Sequence, residues 1–253
     1  MRILAVDTAT EGCSVALLSG NEVIGRFAER ALSQAPEVLG MVDAVLAEAG
    51  VTLSALDGIA ASIGPGAFTG VRISVAVAQG LAFGAGLRVV PVTTLAALAY
   101  QATQRGAAHV LATLDARMGE VYWGCFTADP ELGLIASGAP QVGRPESVVL
   151  PDLSAYRGIG RGFGAYPVLG TLPGVELRGE DSRALPNARE FARLGALRLG
   201  LGEGIDPADL TPLYLRDKVA LTEVERRQLK AAGPCHGTVI TDRCNSGLKE
   251  SRD

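Results

Sequence analysis

Apolar and polar positions along the chain switch between two periods, and the switching predicts an α/β protein. The run RILAVD at residues 2–7 is short, apolar and closed by Asp7; TATEG follows as a turn and CSVALL as a second strand. A third strand, NEVIGRFAE, comes after the turn SGN. APEVLGMVDAVLAEAG then sets Val38, Leu39, Val42, Val45, Leu46 and Ala49 at helical spacing and stops on Gly50, so an amphipathic helix is expected there. LDGIAASIG reads as a buried strand running into the glycine loop SIGPGAFTGVR, and GVRISVAVAQGLAFGAG as a helix apolar nearly all round. Thr69, just before that helix, is the expected N-cap, because its hydroxyl can accept from a free amide of the first turn. RVVPV is the next strand and TTLAALAYQATQRG the next helix.

The pattern then restarts. HVLATLDARMGEVYWGCF repeats the logic of the opening: an apolar strand, an aspartate at its end (Asp7, then Asp115), a short turn and a second strand. Two such hairpins, each followed by helices, predict two related lobes, residues 1–106 and 107–216. In the second half GIGRGFGAYP reads as a glycine-rich turn, and NAREFARLGALRLG as a helix with Phe191, Leu194 and Leu197 on one side. Residues 217–253 turn polar and are expected to form a disordered tail.

Composition narrows the class. A chain of 253 residues with 48% hydrophobic content can bury a substantial core, and a net charge of −4 provides no global positive field for holding nucleic acid. Cys13, Cys125, Cys235 and Cys244 lie far apart without paired C-x-x-C spacing, which suggests a reducing cytosol rather than a disulfide framework or a zinc ribbon. Asp7 falls too early for the apolar core of a secretory signal, and no run of about 20 uninterrupted apolar residues suggests a membrane span, so a cytoplasmic protein is expected.

The glycine loop invites comparison with phosphate-binding loops. A P-loop requires lysine and then Ser or Thr after its last glycine, whereas Val71 and Arg72 stand here and no lysine precedes Lys218; the other lysines are Lys230 and Lys249. Gly64, Gly66 and Gly70 are spaced G-x-G-x-x-x-G after the fourth strand, which departs from the dinucleotide fingerprint. What remains is a tight turn opening a helix, with a small anion site at most. Asp7 and Asp115 are more suggestive, since carboxylates at strand ends beside hairpin turns can hold magnesium through water and embrace the phosphates of ATP. Yet the first turn has no glycine until Gly12, and the second puts Arg117 and Met118 in the way. Asp7, Thr8, Gly64, Gly66, Thr69, Gly70 and Asp115 are therefore expected as a degenerate nucleotide or anion site, with ATP, ADP or Mg at most shared with a partner. The two histidines, His109 and His236, offer neither a paired metal site nor a catalytic triad, and His236 beside Cys235 belongs to the tail. Cys13 and Cys125 read as small packing residues, and Tyr122 and Trp123 could stack a base, although aromatics in a strand more often fill a core.

With these residues in view the chain resembles the bacterial TsaB (YeaZ) family. The carrying segments are MRILAVDTATEGCSVALL, GPGAFTGVRISVAVAQGLAFG, VPVTTLAALA, LDARMGEVYWGCF and PLYLRD, spread over residues 1–217. The resemblance implies a two-lobed ASKHA fold, as in actin and the sugar kinases, with duplicated mixed sheets flanked by helices. It further implies a role in forming threonylcarbamoyladenosine at position 37 of tRNAs that read codons beginning with A. In that pathway TsaD transfers the threonylcarbamoyl group and the ATPase TsaE resets the complex. TsaD-like proteins hold their metal with an H-x-x-x-H pair, and this sequence has no histidine before His109. The resemblance thus implies a non-enzymatic scaffold without a metal or a required cofactor. Such a scaffold pairs with TsaD, or with itself as a homodimer, and meets tRNA through the complex. Its contacts are expected on the two N-terminal helices: Val38, Met41, Val42, Val45, Val71, Arg72, Val75 and Gln79. One departure stands out: relatives carry a histidine before the first helix, where this chain has SQAPEVLG with Gln34.

Two other classes stay open at this level. An ATP-dependent small-molecule kinase shares the fold, with the obstructed turns and missing lysines against it. A peptidase, suggested by the old glycoprotease label, lacks an assembled nucleophile and base.

Overall fold

In β1 (Arg2–Asp7) alternate side chains serve two different cores: Ile3 and Ala5 enter one, Leu4 and Val6 the other. A strand buried on both faces must lie inside its sheet, and β1 lies between β2 (Gly12–Ser19), antiparallel to it, and β4 (Gly58–Ser62), parallel to it. β3 (Glu22–Glu29) and β5 (Arg88–Val92) complete a five-stranded sheet in the order β3-β2-β1-β4-β5. The computed structural model describes residues 1–29, 35–152 and 155–216. The expected tail at 217–253, with all three lysines, His236, Cys235 and Cys244, lies outside the described residues, as does Gln34.

One face of this sheet is covered by α1 (Ala35–Ala49) and α2 (Phe68–Ala85). α1 turns Val38, Val42 and Val45 inward at helical spacing and is followed by Gly50 at φ 63. α2 buries Val71, Val75, Ala78 and Ala82 and ends on Gly86 at φ 67. By length and composition α2 could cross a membrane, but it lies on the sheet with these residues in the core.

The second sheet runs β11-β10-β6-β7-β8, built from β6 (His109–Arg117), β7 (Glu120–Asp129), β8 (Gly133–Ala136), β10 (Tyr156–Ile159) and β11 (Val175–Glu176). β9 (Gln141–Gly143) pairs with β7 beside it. Between the sheets lie α3 (Thr94–Thr103) and α5 (Ala188–Gly200), capped by the side chains of Thr93 and Asn187. Their shared core takes Ile3, Ala60 and Val90 from the first sheet and Val110, Leu114 and Ile159 from the second. α3 is buried along nearly its whole length for that reason. The outer face of the second sheet packs Trp123 and Cys125 against Tyr156, Phe163 of α4 (Arg161–Ala165) and Leu169.

Two local expectations are corrected. Thr69 does not cap α2: the helix begins two residues earlier, at Phe68, with Ala67 at the cap position and no side-chain cap. The reason is non-local, since the Ala67 amide donates to the Ala9 carbonyl, 2.7 Å away, so the hairpin fixes the helix start. GIGRGFGAYP is likewise not only a turn: it ends β10, starts α4 and packs Gly160 and Gly162 against Thr113 of β6.

Candidate cleft between two hairpins and a helical face

The glycine loop is built for contact between backbones. A Cβ on Gly66 would stand 2.0 Å from the Ala9 carbonyl oxygen, and one on Gly70 would stand 2.0 Å from that of Thr8. Only glycine permits that approach. Side chains then tie α2 to the first hairpin: Thr8 Oγ1 donates to the Gly70 carbonyl at 2.6 Å, and Ser74 Oγ donates to that of Val6 at 3.0 Å. The second half repeats the device, because a Cβ on Gly160, at φ 109, would stand 2.0 Å from the Thr113 carbonyl oxygen. The loop and its helix are thereby pressed onto the base of a hairpin in each half.

These contacts leave a cleft of about 190 Å³ between the two hairpin turns, lined among others by Thr10, Glu11, Gly66, Asp115, Arg117 and Arg161. Of the residues expected as an anion site, Gly66 and Asp115 line it; Asp7, Thr8, Gly64, Thr69 and Gly70 do not. Asp7 is fully buried. Its Oδ1 accepts from the Ala9 amide at 3.0 Å, while its Oδ2 has no hydrogen-bond partner among the described residues. Burial pushes its carboxyl up to about 6; the Ala9 amide and the nearby Ser62 hydroxyl oppose that shift. Ser62 Oγ also lies 3.2 Å from Thr94 Oγ1.

Asp115 is committed to its own turn. Its Oδ1 accepts from the Arg117 amide at 2.8 Å and from the Tyr166 hydroxyl at 3.1 Å, and its Oδ2 pairs with Arg117 Nη1 at 3.0 Å. Met118 and Gly119 form the two-residue connection, both left-handed, and Arg117 is left-handed beside the register shift at Asp115. Arg117 Nη2 then crosses to Glu11 Oε1 of the first hairpin turn, 2.8 Å away. A magnesium nucleotide does not fit this arrangement. Asp115 has its oxygens engaged, Asp7 lies beneath the loop, an ion pair spans the mouth, and the volume falls short of the roughly 300–1,000 Å³ of small-molecule sites.

The helical face also differs from expectation. Val38, Val42, Val45 and Val75 pack in the chain's own core and, with Val71, are at most 5% exposed, so their side chains are spent on holding α1 and α2 to the sheet. Met41 is half-buried, with its sulfur 3.9 Å from Cys13 Sγ. Gln79 donates to the carbonyls of Pro207 and Leu210, fastening the short 3-10 turn at Pro207–Asp209 to α2. Of the expected set Arg72 stands on the surface, its guanidinium 3.7 Å from the Phe68 ring centroid and its Nε donating to Tyr214 Oη at 2.8 Å. The exposed stripe of α2 runs instead through Phe68, Arg72, Ala76, Gly80 and Phe83, the last 80% exposed. Leu39 of α1 is exposed as well.

Sequence reasoning missed Glu11, Arg161 and Tyr166 as cleft residues, and Phe68, Phe83 and Tyr214 as surface aromatics. The signal for the surface set was partly present, since spacing of three and four along α2 brings Phe68, Ala76 and Phe83 together opposite the buried valines. The remaining packing residues behave as expected: Cys13, Cys125 and Trp123 are buried, and burial pushes the Cys125 thiol up to about 11. Tyr122 is half-buried on the cleft wall, and His109 Nδ1 lies 3.1 Å from Thr127 Oγ1.

Comparison with known proteins gives this geometry a family. Residues 23–136 match the family model described as TsaD: tRNA N6-adenosine threonylcarbamoyltransferase. The tRNA threonylcarbamoyladenosine biosynthesis protein TsaB of Escherichia coli (strain K12) is 38% identical over 224 residues, covering 87% of this chain and 96% of its own. Its Haemophilus influenzae counterpart is 36% identical over 240 residues, covering 90% and 99%. The solved structure of YeaZ from Pseudomonas aeruginosa superposes with a TM-score of 0.79 at 41% identity, over 85% of this chain and 99% of that one. The two mixed sheets with their flanking helices are of the ASKHA type, and the chain belongs to the TsaB (YeaZ) family.

Proposed function

We propose that the chain serves the formation of threonylcarbamoyladenosine at position 37 of tRNA as a non-catalytic subunit, by docking a TsaD-like partner on the exposed face of α1 and α2. The observation that carries the docking is the α2 stripe: a helix whose inner face is fully engaged still presents Phe68, Ala76, Gly80 and Phe83 outward. Small residues in mid-stripe let another helix approach closely, and aromatic residues at both ends supply contact area. The family-model match spans α1 and α2, so a TsaD-like partner would offer helices of the same kind to the same face. The reading without catalysis draws support from the cleft, whose carboxylates are buried or already engaged. The TsaE ATPase and tRNA join through the partner, in the cytoplasm, and the isolated chain pairs with itself on the same face.

The test is threonylcarbamoyl transfer to tRNA reconstituted from the other purified components, with this protein present, omitted, or carrying Ala76→Arg. Transfer is expected with the wild-type chain, and not without it or with the variant, while the isolated chain turns over no ATP. Undiminished transfer in its absence would refute the role. Undiminished transfer with a folded Ala76→Arg would move the docking to another face.

A further inference from the structure

The cleft holds a carboxylate of its own between two guanidinium groups. Glu11 Oε1 lies 2.8 Å from Arg117 Nη2, and Glu11 Oε2 lies 3.7 Å from Arg161 Nη1. Each arginine has a second, separate anchor. Arg117 Nη1 pairs with Asp115, and Arg161 Nη2 pairs with Glu29 at the end of β3, while Arg161 Nε reaches the Arg183 carbonyl at 3.5 Å. Both guanidinium groups are thus held in place without Glu11, each with an N–H edge turned to the same carboxylate. All three residues line the cleft. Two guanidinium groups from different elements, one at hydrogen-bond and one at ion-pair distance, thus converge on the two oxygens of one anion, and guanidinium pairs of this kind also recognise phosphates.

The charges face one another as follows. Glu11, Asp115 and Glu29 oppose Arg117 and Arg161, a cluster with one negative charge in excess. With Glu11 neutralised the cluster balances, and the two guanidinium groups lose a charged partner.

We propose that Arg117 and Arg161 form an oxyanion site at the mouth of the cleft, and that Glu11 occupies it as an internal ligand, so that a phosphate group enters only by displacing that side chain. The chain carries a plug in place of a ligand. Glu11 sits in the turn between β1 and β2, outside both sheets, with its side chain 38% accessible. The idea is independent of how a partner docks.

Inorganic pyrophosphate, titrated calorimetrically at fixed ionic strength into the full chain, provides the test. Glu11→Gln keeps the shape and removes the charge. It is expected to bind pyrophosphate at least about tenfold more tightly than wild type, roughly 1.4 kcal/mol. Adding Arg117→Gln to that variant is expected to abolish the gain, with circular dichroism confirming that all three proteins are folded. Equal affinity of wild type and Glu11→Gln would show that Glu11 is no competitor and overturn the proposal. Absence of binding in both would show that the guanidinium groups make no oxyanion site. Tight binding that survives Arg117→Gln would place the anion elsewhere and overturn it equally.

Discussion

At the scale of single residues the glycine loop and the aspartate beneath it have opposite sensitivities. Gly70 faces the Thr8 carbonyl so closely that Gly70→Ala must push backbone from backbone, and a loss of about 3 kcal/mol is expected by urea unfolding. Gly80, in the same helix, meets nothing within 4 Å, so Gly80→Ala should gain about 0.8–1 kcal/mol from helix propensity. Equal effects of the two would remove the packing account of the loop. Asp7 makes a pH-dependent contribution. Its carboxyl titrates near 3.8 in the unfolded chain and at about 6 in the folded one, so between these values the folded state holds the extra proton. The stability it contributes is therefore present below the unfolded value and is lost as pH rises through about 6. Asp7→Asn carries no charge and is expected to be more stable than wild type at neutral pH, by on the order of 2 kcal/mol, with the difference fading as pH falls towards 4. Denaturation curves that stay parallel across that range would show that Asp7 is not held in the buried, half-paired state described.

At the scale of elements, α2 separates two roles at neighbouring positions. Val75 is 5% exposed and packs on the first sheet, so Val75→Arg buries an unpaired charge and is expected to cost about 3–5 kcal/mol. Ala76 faces outward, so Ala76→Arg should leave the melting temperature unchanged while blocking the partner; thermal melts and co-purification separate the two effects. The sequence made this helix legible but not its faces, because a stripe apolar nearly all round carries little phase information. α1 was clearer: its valines and the terminal Gly50 mark both period and end. The Thr69 cap failed for a different reason. Helix starts are read from local side chains, whereas here the start is set by the Ala9 carbonyl, which lies far away in sequence. The cleft shows the same limit. Arg117 could be read as an obstruction from its turn, but its pairing with Glu11 depends on how the two hairpins meet.

At the scale of the whole molecule the decisive contact is the return of α5. Two sheets, at residues 2–92 and 109–176, each contain one of the strand–aspartate–turn–strand hairpins read in the sequence, but an amphipathic stripe does not say which sheet it covers. α5 comes from the end of the second half and packs against the first sheet: Gly195 lies so near that an added Cβ would be 2.5 Å from that of Ala60, and Phe191 and Leu194 are fully buried in the core between the sheets. A fragment of residues 1–106 would lose these side chains together with the second-sheet residues Val110, Leu114 and Ile159 that cover α3. Its buried face would then be open to water, and the stability of a domain, about 5–15 kcal/mol, is small beside the burial forfeited. The fragment is expected to lack a cooperative unfolding transition, and added residues 107–216 should restore one. Cooperative melting of residues 1–106 alone would show that the first sheet folds without α5 and that the core between the sheets is a contact surface rather than a shared foundation.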